Sequence, residues 1–355
     1  MTSHRILVTG GAGFVGSAMA LGLKARYSDS QVVVLDNLKR RGSELNLPRL
    51  KYVGIEFIHG DIRCSTDLDS NLLKPDLIVE CSAEPSVLAG YGSPGYLLQT
   101  NLIGTINCLE LARQTRADFL FFSTSRVYPV AAITQLQYRE ADTRFILLDN
   151  QSLAGVSAAG IAEDFPLEGA RSLYGATKLA SELLITEYAE AYGLRAVINR
   201  CGVLTGPWQM GKVDQGVFAL WMLAHYFGRS LKYIGFGGTG KQVRDFLHID
   251  DLLDLVYLQL DNWEQVHGQV FNVGGGVENS LSLLETTQLC EQITGQQISI
   301  QSSTEDRPGD IPIFITDSRK VQARLGWQPQ RDARQTLTDI YSWIDQHAEV
   351  LRAIL

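Results

Sequence analysis

The sequence predicts an α/β protein with a doubly wound parallel β-sheet and a smaller C-terminal α/β lobe. Short β-rich runs alternate with helical stretches through the first half of the chain, which is typical of β-α-β units. Each run is almost wholly apolar, as expected for strands buried on both faces of a parallel sheet. A glycine-rich turn joins the first run to the first helical stretch.

The elements of the sheet can be placed from these patterns. Strands are expected at Arg5–Thr9, Gln31–Leu35, Ile55–His59, Leu77–Cys81, Phe119–Ser123 and Ala196–Arg200, and helices at Phe14–Ala25, Asn101–Arg113 and Tyr174–Ala191. Phe271–Gly276 predicts a further strand and turn. Ser282 and Glu285 then fit a capping box that would begin a helix.

The regular alternation of strand and helix patterns ends after residue 204, where glycine and proline interrupt the sequence. We therefore expect a first domain of residues 1–203, rejoined by 241–276. Residues 204–240 and 277–355 would form the smaller lobe.

Composition excludes several classes of partner. A net charge of −8 argues against nucleic acid and membrane surfaces, which require basic patches. No apolar run is long enough to span a membrane, and we expect no signal peptide, because the N-terminus leads directly into a strand pattern. The five cysteines are scattered without metal-ligand spacing, which predicts reduced thiols, a cytoplasmic protein and no metal site.

The turn after the first strand has the features of a dinucleotide site. Gly10, Gly13 and Gly16 are spaced GxxGxxG, and the helix that follows presents free N–H groups to a pyrophosphate. A second glycine run, Gly235–Gly240, precedes Lys241–Phe246 rather than a helix, so we interpret it as a loop.

Asp36, at the end of the second strand, predicts NAD rather than NADP, because a carboxylate there binds ribose hydroxyls and repels a 2′-phosphate. The basic residues Lys39–Arg41 leave two interpretations open, a solvated loop or a site for that phosphate. Asp61 and Ile62 follow the third strand, where an adenine contact is expected. A structural turn is the alternative role for Asp61.

Tyr174 and Lys178 form a YxxxK pair at the start of an expected helix, which places them on one helix face. The ammonium can lower the pKa of the phenol, so that tyrosinate can act as a base. Thr124, at the end of a strand, can hydrogen-bond a substrate oxygen beside the tyrosine.

Together these motifs resemble the extended short-chain dehydrogenase/reductase superfamily. The matching segments are Thr9–Gly16, Asp36, Asp61, Asn101–Thr105, Ser123–Thr124, Tyr174 with Lys178, Arg244–Asp245 and Arg307–Asp310. The resemblance implies a Rossmann-type sheet, tightly bound NAD and a nucleotide-diphosphate sugar as substrate. The other residues that we assign to the cofactor are Phe14, Val15, Asn37, Ser82, Ala83, Asn101 and Ser123.

Less general segments are similar to the CDP-paratose 2-epimerase family. They are Arg40–Asn46, Asp142–Phe145, Asp214–Gly216, Gly240–Asp245 and Asn279–Glu285. This resemblance implies that Tyr174 takes a proton from a sugar hydroxyl while hydride passes from carbon 2 to NAD, and that the hydride returns to the other face of the keto-sugar. Lys178 would modulate the tyrosine, and Thr124 would be its hydroxyl partner.

The resemblance also implies substrate-binding residues. Arg244 and Arg307 would bind the pyrophosphate through their forked donors, although an ion pair of Arg244 with Asp245 and a capped turn at Arg307 are alternatives. Asp214 and Gln215 are candidate nucleotide contacts.

Ser125 and Arg126 stand where relatives that dehydrate or decarboxylate the sugar have acidic residues. Their presence disfavours those reactions. Two departures concern the sugar pocket: Pro129 replaces a common glycine, and Cys201–Val203 replaces a segment in which many relatives have an asparagine.

Several alternatives remain open at this point. Glu80 and Glu84 could assist catalysis or have hydrogen-bonded structural roles. The chain could also be a dehydrogenase or reductase, a C4-epimerase of a UDP-sugar, or a non-catalytic NAD-binding scaffold. The long 129–173 segment is expected to cover the active site in part, and the superfamily resemblance implies a homodimer or homotetramer.

Overall fold

The structure is a computed structural model that describes residues 5–211 and 215–354. Its strands are β1 (Arg5–Thr9), β2 (Gln31–Asp36), β3 (Glu56–His59), β4 (Leu77–Glu80), β5 (Asp118–Thr124), β6 (Tyr138–Glu140), β7 (Phe145–Leu147), β8 (Val156–Ser157), β9 (Gly160–Ile161), β10 (Ala196–Cys201), β11 (Val203–Thr205), β12 (Leu231–Ile234), β13 (Val243–His248), β14 (Gln269–Val273), β15 (Ser280–Ser282), β16 (Ile300–Ser303) and β17 (Ile313–Phe314).

The α-helices are α1 (Phe14–Arg26), α2 (Leu47–Tyr52), α3 (Ser70–Leu73), α4 (Ala89–Gly92), α5 (Pro94–Leu98), α6 (Gly104–Thr115), α7 (Val130–Thr134), α8 (Leu173–Tyr192), α9 (Val217–Phe227), α10 (Ile249–Asp261), α11 (Trp263–Val266), α12 (Leu283–Thr294), α13 (Arg319–Leu325), α14 (Ala333–Gln346) and α15 (Ala348–Ile354). Short 3-10 turns lie at Ser43–Asn46, Ser65–Leu68, Ser125–Val127 and Phe236–Gly238, and a π-helical turn at Gln99–Ile103 leads into α6.

A seven-stranded sheet has the order β14-β10-β5-β4-β1-β2-β3. The pairs of β1 with β2, β1 with β4, β2 with β3, and β4 with β5 are all parallel. The strand order reverses between β1 and β4, and ligands of doubly wound sheets bind at the carboxyl ends of the strands beside such a reversal. The predicted α/β, Rossmann-type fold is confirmed.

One face of the sheet packs into an apolar core with helices α6 and α8. Leu7, Ile78, Phe119 and Phe121 from the strands are buried there with Leu109 and other helical residues. Removing these side chains from water stabilises the sheet and fixes the two helices above β4 and β5. The positions of α6 and α8 matter because Asn101–Thr105 spans the π-helical turn and the start of α6, and the YxxxK pair lies at the start of α8.

The chain divides into two compact units. The first comprises residues 1–127, 173–200 and 253–271, and the second comprises 128–172, 201–252 and 272–355. The expected domains, 1–203 with 241–276 against 204–240 with 277–355, differ from these units mainly at residues 128–172, which belong to the second unit.

Long-range hydrogen bonds explain why residues 128–172 belong to the second unit. Phe145 N donates to Lys241 O over 2.9 Å, and Asn272 Nδ2 donates to Ile161 O over 2.9 Å. Ile161 also forms an isolated parallel bridge with Thr316. Such partners lie more than ninety residues away in sequence, so no local pattern could reveal them.

Within the second unit, strands β11, β13 and β15 form a sheet to which β17 is added beside β13. Helices α9, α12 and α14 pack around a separate apolar core. The predicted capping box is confirmed: Ser282 Oγ accepts from Glu285 N over 3.0 Å, while Glu285 Oε2 accepts from Ser282 N over 2.9 Å. Among residues 5–211 and 215–354, no helix is both long and apolar enough to cross a bilayer.

We expect Ser282→Ala to lower the free energy of unfolding by about 1–2 kcal/mol, because it removes the N-cap of α12. The same hydroxyl donates to Thr143 O over 2.7 Å, and that bond would also be lost. Urea unfolding followed by circular dichroism measures the change. Ser342→Ala, on the exposed side of α14, is the control and should change stability by less than about 0.5 kcal/mol; equal effects would contradict the role of the cap.

Candidate active site

The glycine turn after β1 leaves no room for side chains. Gly10 has a φ of 62°, in the left-handed region that favours glycine, and a Cβ there would lie 2.7 Å from Ser82 N. A Cβ on Gly16 would lie 2.2 Å from Gly10 O. The turn is therefore lined by backbone, which lets a phosphate group approach closely.

Helix α1 begins directly after this turn. Its N-cap is Gly13, which has no side chain to cap the helix, and Gly13 N donates to Gly10 O over 3.0 Å. Phe14 and Val15 lie in the first helical turn, where N–H groups have no intrahelical acceptor. These amides and the positive end of the helix dipole form a site suited to a pyrophosphate.

Asp36, the last residue of β2, is hydrogen-bonded to the glycine turn. Its Oδ2 accepts from Ala12 N over 3.0 Å, and its Oδ1 accepts from Leu38 N over 2.7 Å. Burial raises the pKa of the carboxyl group, and the amide hydrogen bonds oppose that shift. The carboxylate lies beside the turn and retains acceptor capacity for ribose hydroxyls.

Asp61, after β3, is held by its neighbours. Arg63 Nη2 lies 2.6 Å from Asp61 Oδ2, and Asn37 Nδ2 donates to the same oxygen over 2.9 Å. The hydrogen bonds from Arg63 hold the pKa of Asp61 well below its usual range. Asp61 thus has the turn-stabilising contacts of its alternative role, and it lies beside Asn37 as expected for a shared site.

Asn46 is a contact of the glycine turn that the sequence did not reveal. Its Nδ2 donates to Ala12 O over 2.9 Å, and its Oδ1 accepts from Arg49 Nη1 over 2.6 Å. Burial lowers the pKa of Arg49 to about 10, which leaves it cationic at neutral pH. In the sequence, the available signal for Asn46 was that it ends Arg40–Asn46, a segment similar to the CDP-paratose 2-epimerase family.

Asn101 is fully buried and connects segments around the end of β4. Its Oδ1 accepts from Glu84 N over 2.7 Å, and its Nδ2 donates to Glu84 O over 3.0 Å. Nδ2 also lies 3.4 Å from Thr177 Oγ1, and the Thr177 hydroxyl donates to Tyr174 O. Asn101 therefore fixes the first turn of α8 to the loop after β4.

The other predicted cofactor residues occupy two places. Ser82 and Ala83 are half-buried directly after β4, where Ser82 N approaches Gly10. Ile62 is buried, and a Cβ on Gly104 would lie 2.4 Å from its Cδ1. The structure thus brings Ser82 to the glycine turn, whereas the Ile62 side chain packs beneath the start of α6.

Tyr174 and Lys178 lie one turn apart at the start of α8, with exposed fractions of 8% and 2%. Lys178 Nζ lies 4.2 Å from the centroid of the Phe121 ring, which is a cation–π contact. Phe121 belongs to β5, the strand that ends at Thr124. The ammonium is thereby held near the strand that carries the predicted hydroxyl partner.

A buried ion pair connects α8 to two strands. Arg200 Nη2 of β10 lies 2.7 Å from Glu182 Oε2 of α8, and the two side chains are only 7% and 5% exposed. Ser123 Oγ of β5 donates to the other oxygen of Glu182. The Ser123 hydroxyl is therefore hydrogen-bonded to α8. The predicted cofactor contact of Ser123 would have to come from its backbone rather than from its hydroxyl.

The turn after β5 contains Ser125 and Arg126, which the resemblance predicts to distinguish between reactions. Thr124 Oγ1 accepts from Arg126 N over 3.2 Å, and Ser125–Val127 form a 3-10 turn packed against α8. Ser125 and Arg126 are half-buried. No acidic residue lies in this turn, so Thr124 has no carboxylate as its immediate neighbour in the chain.

Glu80, the last residue of β4, is completely buried. Thr105 Oγ1 donates to its Oε1 over 2.7 Å, which is the structural contact expected for it. Burial raises the pKa of Glu80 to about 7, against the opposing effect of the Lys178 ammonium. The other carboxylate, Glu84, accepts from Ser86 N over 3.2 Å.

In the second unit, Arg244 pairs with the segment that contains Arg307. Arg244 Nη2 lies 2.8 Å from Asp310 Oδ1 and donates to Ile311 O over 2.6 Å. Arg307 O accepts from Asp310 N over 3.1 Å, which closes the Pro-Gly turn. The two predicted substrate arginines thus lie on adjoining segments, linked through Asp310 rather than through the alternative partner Asp245.

Asp245 is instead buried beside a glycine run. Its Oδ2 accepts from Gly275 N over 2.9 Å, and burial raises the pKa of the carboxyl group to about 6.

Gln215 is half-buried just before α9, and Asp214 lies outside the described residues. At the departure Cys201–Val203, a Cβ on Gly202 would lie 2.9 Å from Thr316 Oγ1, which leaves no room for an asparagine there.

The comparison with known families decides which group of proteins this chain joins. A model of the NAD dependent epimerase/dehydratase family matches residues 6–274. The chain belongs to this family. The predicted membership of the extended superfamily is confirmed, as is an enzyme of epimerase type.

Relatives in this epimerase/dehydratase family cover nearly the whole chain. CDP-paratose 2-epimerase of Salmonella typhi is 31% identical over 347 residues, which cover 96% of this chain and 98% of the relative. The structure of a dTDP-glucose 4,6-dehydratase double mutant from Streptomyces venezuelae, solved with NAD and DAU, has a TM-score of 0.80 at 28% identity and covers 99% and 100% of the two chains. UDP-glucuronic acid 4-epimerase from Bacillus cereus, solved with UDP-glucuronic acid and NAD, has a TM-score of 0.79 at 26% identity and covers 96% and 99%.

NAD is the cofactor of this epimerase/dehydratase family member, as predicted, and the first unit fits it. The backbone of the turn at Gly10–Gly16, where glycines stand at the closest approaches, accommodates a pyrophosphate, and the Asp36 carboxylate beside it accommodates ribose hydroxyls. When bound, NAD supplies a hydride acceptor.

Sequence reasoning missed Glu182 and Arg200, although both have a detectable signal. Glu182 follows Lys178 by one helical turn, on the same helix face. Arg200 is a charge near the end of a strand that is mostly apolar, and it therefore needs a buried partner.

We expect Glu182→Gln to lower the free energy of unfolding by about 3 kcal/mol or more, because it leaves the Arg200 charge buried without its counter-charge. Urea unfolding measures the loss. Glu264→Gln is the matched control, since Glu264 forms an ion pair with Arg195 while its own side chain is 75% exposed. That variant should lose less than about 1 kcal/mol; a comparable loss in both would show that burial is not the decisive factor.

We expect Asp36→Ser to weaken NAD binding about tenfold while NADP binding is unchanged or improved, because the carboxylate repels a 2′-phosphate. Equilibrium dialysis of nucleotide-free protein measures both affinities. Asp29→Ser, on an exposed turn, is the control. A parallel loss of both nucleotides would mean that Asp36 only supports the glycine turn.

Proposed function

We propose that the protein is an NAD-dependent nucleotide-sugar epimerase that inverts C2 of a CDP-hexose of the CDP-paratose/CDP-tyvelose type. The observation that carries this proposal is the Ser125–Val127 turn, which follows Thr124 and has no carboxylate. Dehydration needs an acid and a base beyond the hydride shuttle, and this turn supplies neither. The similarity to CDP-paratose 2-epimerase over nearly the full length of both chains supports the choice of sugar.

In this proposal Tyr174 removes the proton from the C2 hydroxyl as the hydride leaves C2. The Lys178 ammonium, held over the Phe121 ring, stabilises the tyrosinate by its charge. Thr124 donates a hydrogen bond to the same sugar oxygen as it becomes a carbonyl. The keto-sugar then rotates within the site and presents its opposite face. Tyr174 returns its proton to the same oxygen when the hydride is returned to that face.

The second unit would bind the diphosphate. Arg244 and Arg307 supply planar, permanently charged donors for it, and Gln215 is proposed as a contact to the nucleotide. Asp310 holds the Arg244 guanidinium in place through an ion pair of 2.8 Å. Ser125 and Arg126 are proposed to contact the sugar.

A C4-epimerisation of a UDP-sugar is the second candidate, favoured by the structural similarity to UDP-glucuronic acid 4-epimerase. The same tyrosine, lysine and threonine would serve, with a different carbon presented to the hydride acceptor. A net dehydrogenase or reductase and a non-catalytic scaffold are the remaining alternatives.

We also propose a homodimer or homotetramer built on α6 and α8. Leu183 and Tyr192 of α8 are 62% and 60% exposed, an apolar exposure that a second copy would cover.

The five cysteines are all free thiols, which supports a reducing cytoplasmic setting.

The substrate and the carbon are tested together by incubating the enzyme with CDP- and UDP-hexoses in heavy water and following the sugars by NMR. We expect a CDP-sugar to invert at C2 with its original hydrogen retained on that carbon and with no net NADH. Inversion at C4 of a UDP-sugar would support the second candidate. Accumulating NADH would overturn the epimerase proposal, and deuterium at the inverted carbon would overturn the hydride mechanism.

We expect Tyr174→Phe to lower kcat by about 10²–10⁴-fold with NAD still bound, because it removes the proposed base and leaves the cofactor residues intact. Turnover is measured by NMR, and bound nucleotide by its release on denaturation. Tyr52→Phe, whose side chain is 91% exposed, is the control. Unchanged turnover in Tyr174→Phe would exclude Tyr174 as the base.

A further inference from the structure

Glu80 belongs to one face of the central sheet together with residues of the neighbouring strands. Its register partners are Thr9 on β1 and Phe121 on β5, both in parallel pairing. Register partners in a sheet project from the same face. The Glu80 side chain therefore shares its face with the Phe121 ring, over which Lys178 Nζ lies at 4.2 Å.

The two oxygens of the Glu80 carboxyl group have different surroundings. Thr105 Oγ1 donates to Oε1, which favours the anion. Oε2 is buried, and neither it nor the buried Thr9 Oγ1 has a hydrogen-bond partner among residues 5–211 and 215–354. With no donor at Oε2 in the described part of the chain, burial favours the neutral acid, whereas Thr105 and the Lys178 ammonium favour the anion.

The charged surroundings of Glu80 are few. Helix α8 contributes the Lys178 ammonium, which favours the anion of Glu80, and helix α6 contributes Cys108. Burial, with a smaller effect of the Glu80 charge, raises the pKa of Cys108, which therefore stays a neutral thiol. On β1 and β5 the facing residues, Thr9 and Phe121, carry no charge.

We propose that Glu80 is a positioning residue for the reaction, acting through the Lys178 ammonium so that the charge of its buried carboxyl group sets the pH at which Tyr174 becomes a base. This inference rests on the proposed function, in which Tyr174 is the base. When Glu80 is neutral, the full charge of Lys178 acts on Tyr174; when Glu80 is ionised, it offsets part of that charge.

The consequence is a broadened titration of Tyr174. As pH rises, Glu80 loses its proton, the pKa of Tyr174 increases, and the phenol releases its own proton over a wider pH range. Burial raises the pKa of Glu80 to about 7, so this coupling operates near neutrality.

Titration of the tyrosinate tests the inference without any substrate. Ultraviolet absorbance of the NAD-bound protein is measured against pH, and the Tyr174→Phe spectrum is subtracted to isolate Tyr174 from the other tyrosines. We expect Glu80→Gln to lower the pKa of Tyr174 by about half a pH unit or more and to give a single-site curve. Glu56→Gln, an exposed change of the same charge on β3, should leave the curve unchanged.

Glu80→Gln keeps the shape of the side chain, and its amide oxygen can accept from Thr105 as Oε1 does. Thr105→Val is a second variant, because it removes the hydrogen bond that favours the Glu80 anion; it should shift Tyr174 in the same direction by a smaller amount. If neither variant moves the Tyr174 titration, the proposal is overturned and Glu80 is purely structural. A shift to higher pH would also overturn it.

Kinetics then connect the inference to turnover. The acidic limb of log kcat/KM should move to lower pH in Glu80→Gln by the same amount as the spectroscopic curve. An acidic limb that stays in place while the curve shifts would overturn the link to catalysis. Absence of turnover in the wild type with every sugar tested would count against the proposed function, whereas the spectroscopic result would stand by itself.

Discussion

The buried ion pair between Glu182 and Arg200 is the contact on which the arrangement of the proposed catalytic residues depends. It joins helix α8 to β10, and the Ser123 hydroxyl joins the same carboxylate to β5. Without these bonds, the helix that carries Tyr174 would be joined to the strand that ends at Thr124 mainly by apolar packing and by the Lys178–Phe121 contact, and apolar packing does not fix an angle or a register. Directional hydrogen bonds to a buried charge do fix them.

A second constraint acts at the other end of the site. The glycine turn touches the backbone after β4, accepts a hydrogen bond from Asn46 and donates one to Asp36. Three segments distant in sequence are thus fixed around one turn before any ligand binds. A preorganised site of this kind loses little conformational entropy when it takes up its cofactor.

Local patterns predicted the sheet well, because apolar runs such as Arg5–Thr9 report burial directly. Local patterns also predicted that the glycine turn follows β1, that Asp36 ends β2 and that the YxxxK pair begins a helix. Each of these motifs lies within a short stretch of sequence. Local patterns could not place residues 128–172, whose unit is decided by distant partners such as Lys241. The same limit hid the Glu182–Arg200 pair and the bond of Arg244 to Asp310, since each charge alone fits several roles.

The bond between Arg244 and Asp310 has a consequence for redesigning the protein. Asp310 connects Arg244 of β13 to the 307–310 turn, so the two arginines proposed to bind the diphosphate are held together by the same residue. If that turn alone were replaced by one from another protein, the Arg244 guanidinium would lose the Asp310 carboxylate as its ion-pair partner. Grafting a new ligand preference onto this scaffold therefore requires moving β13 and the turn together.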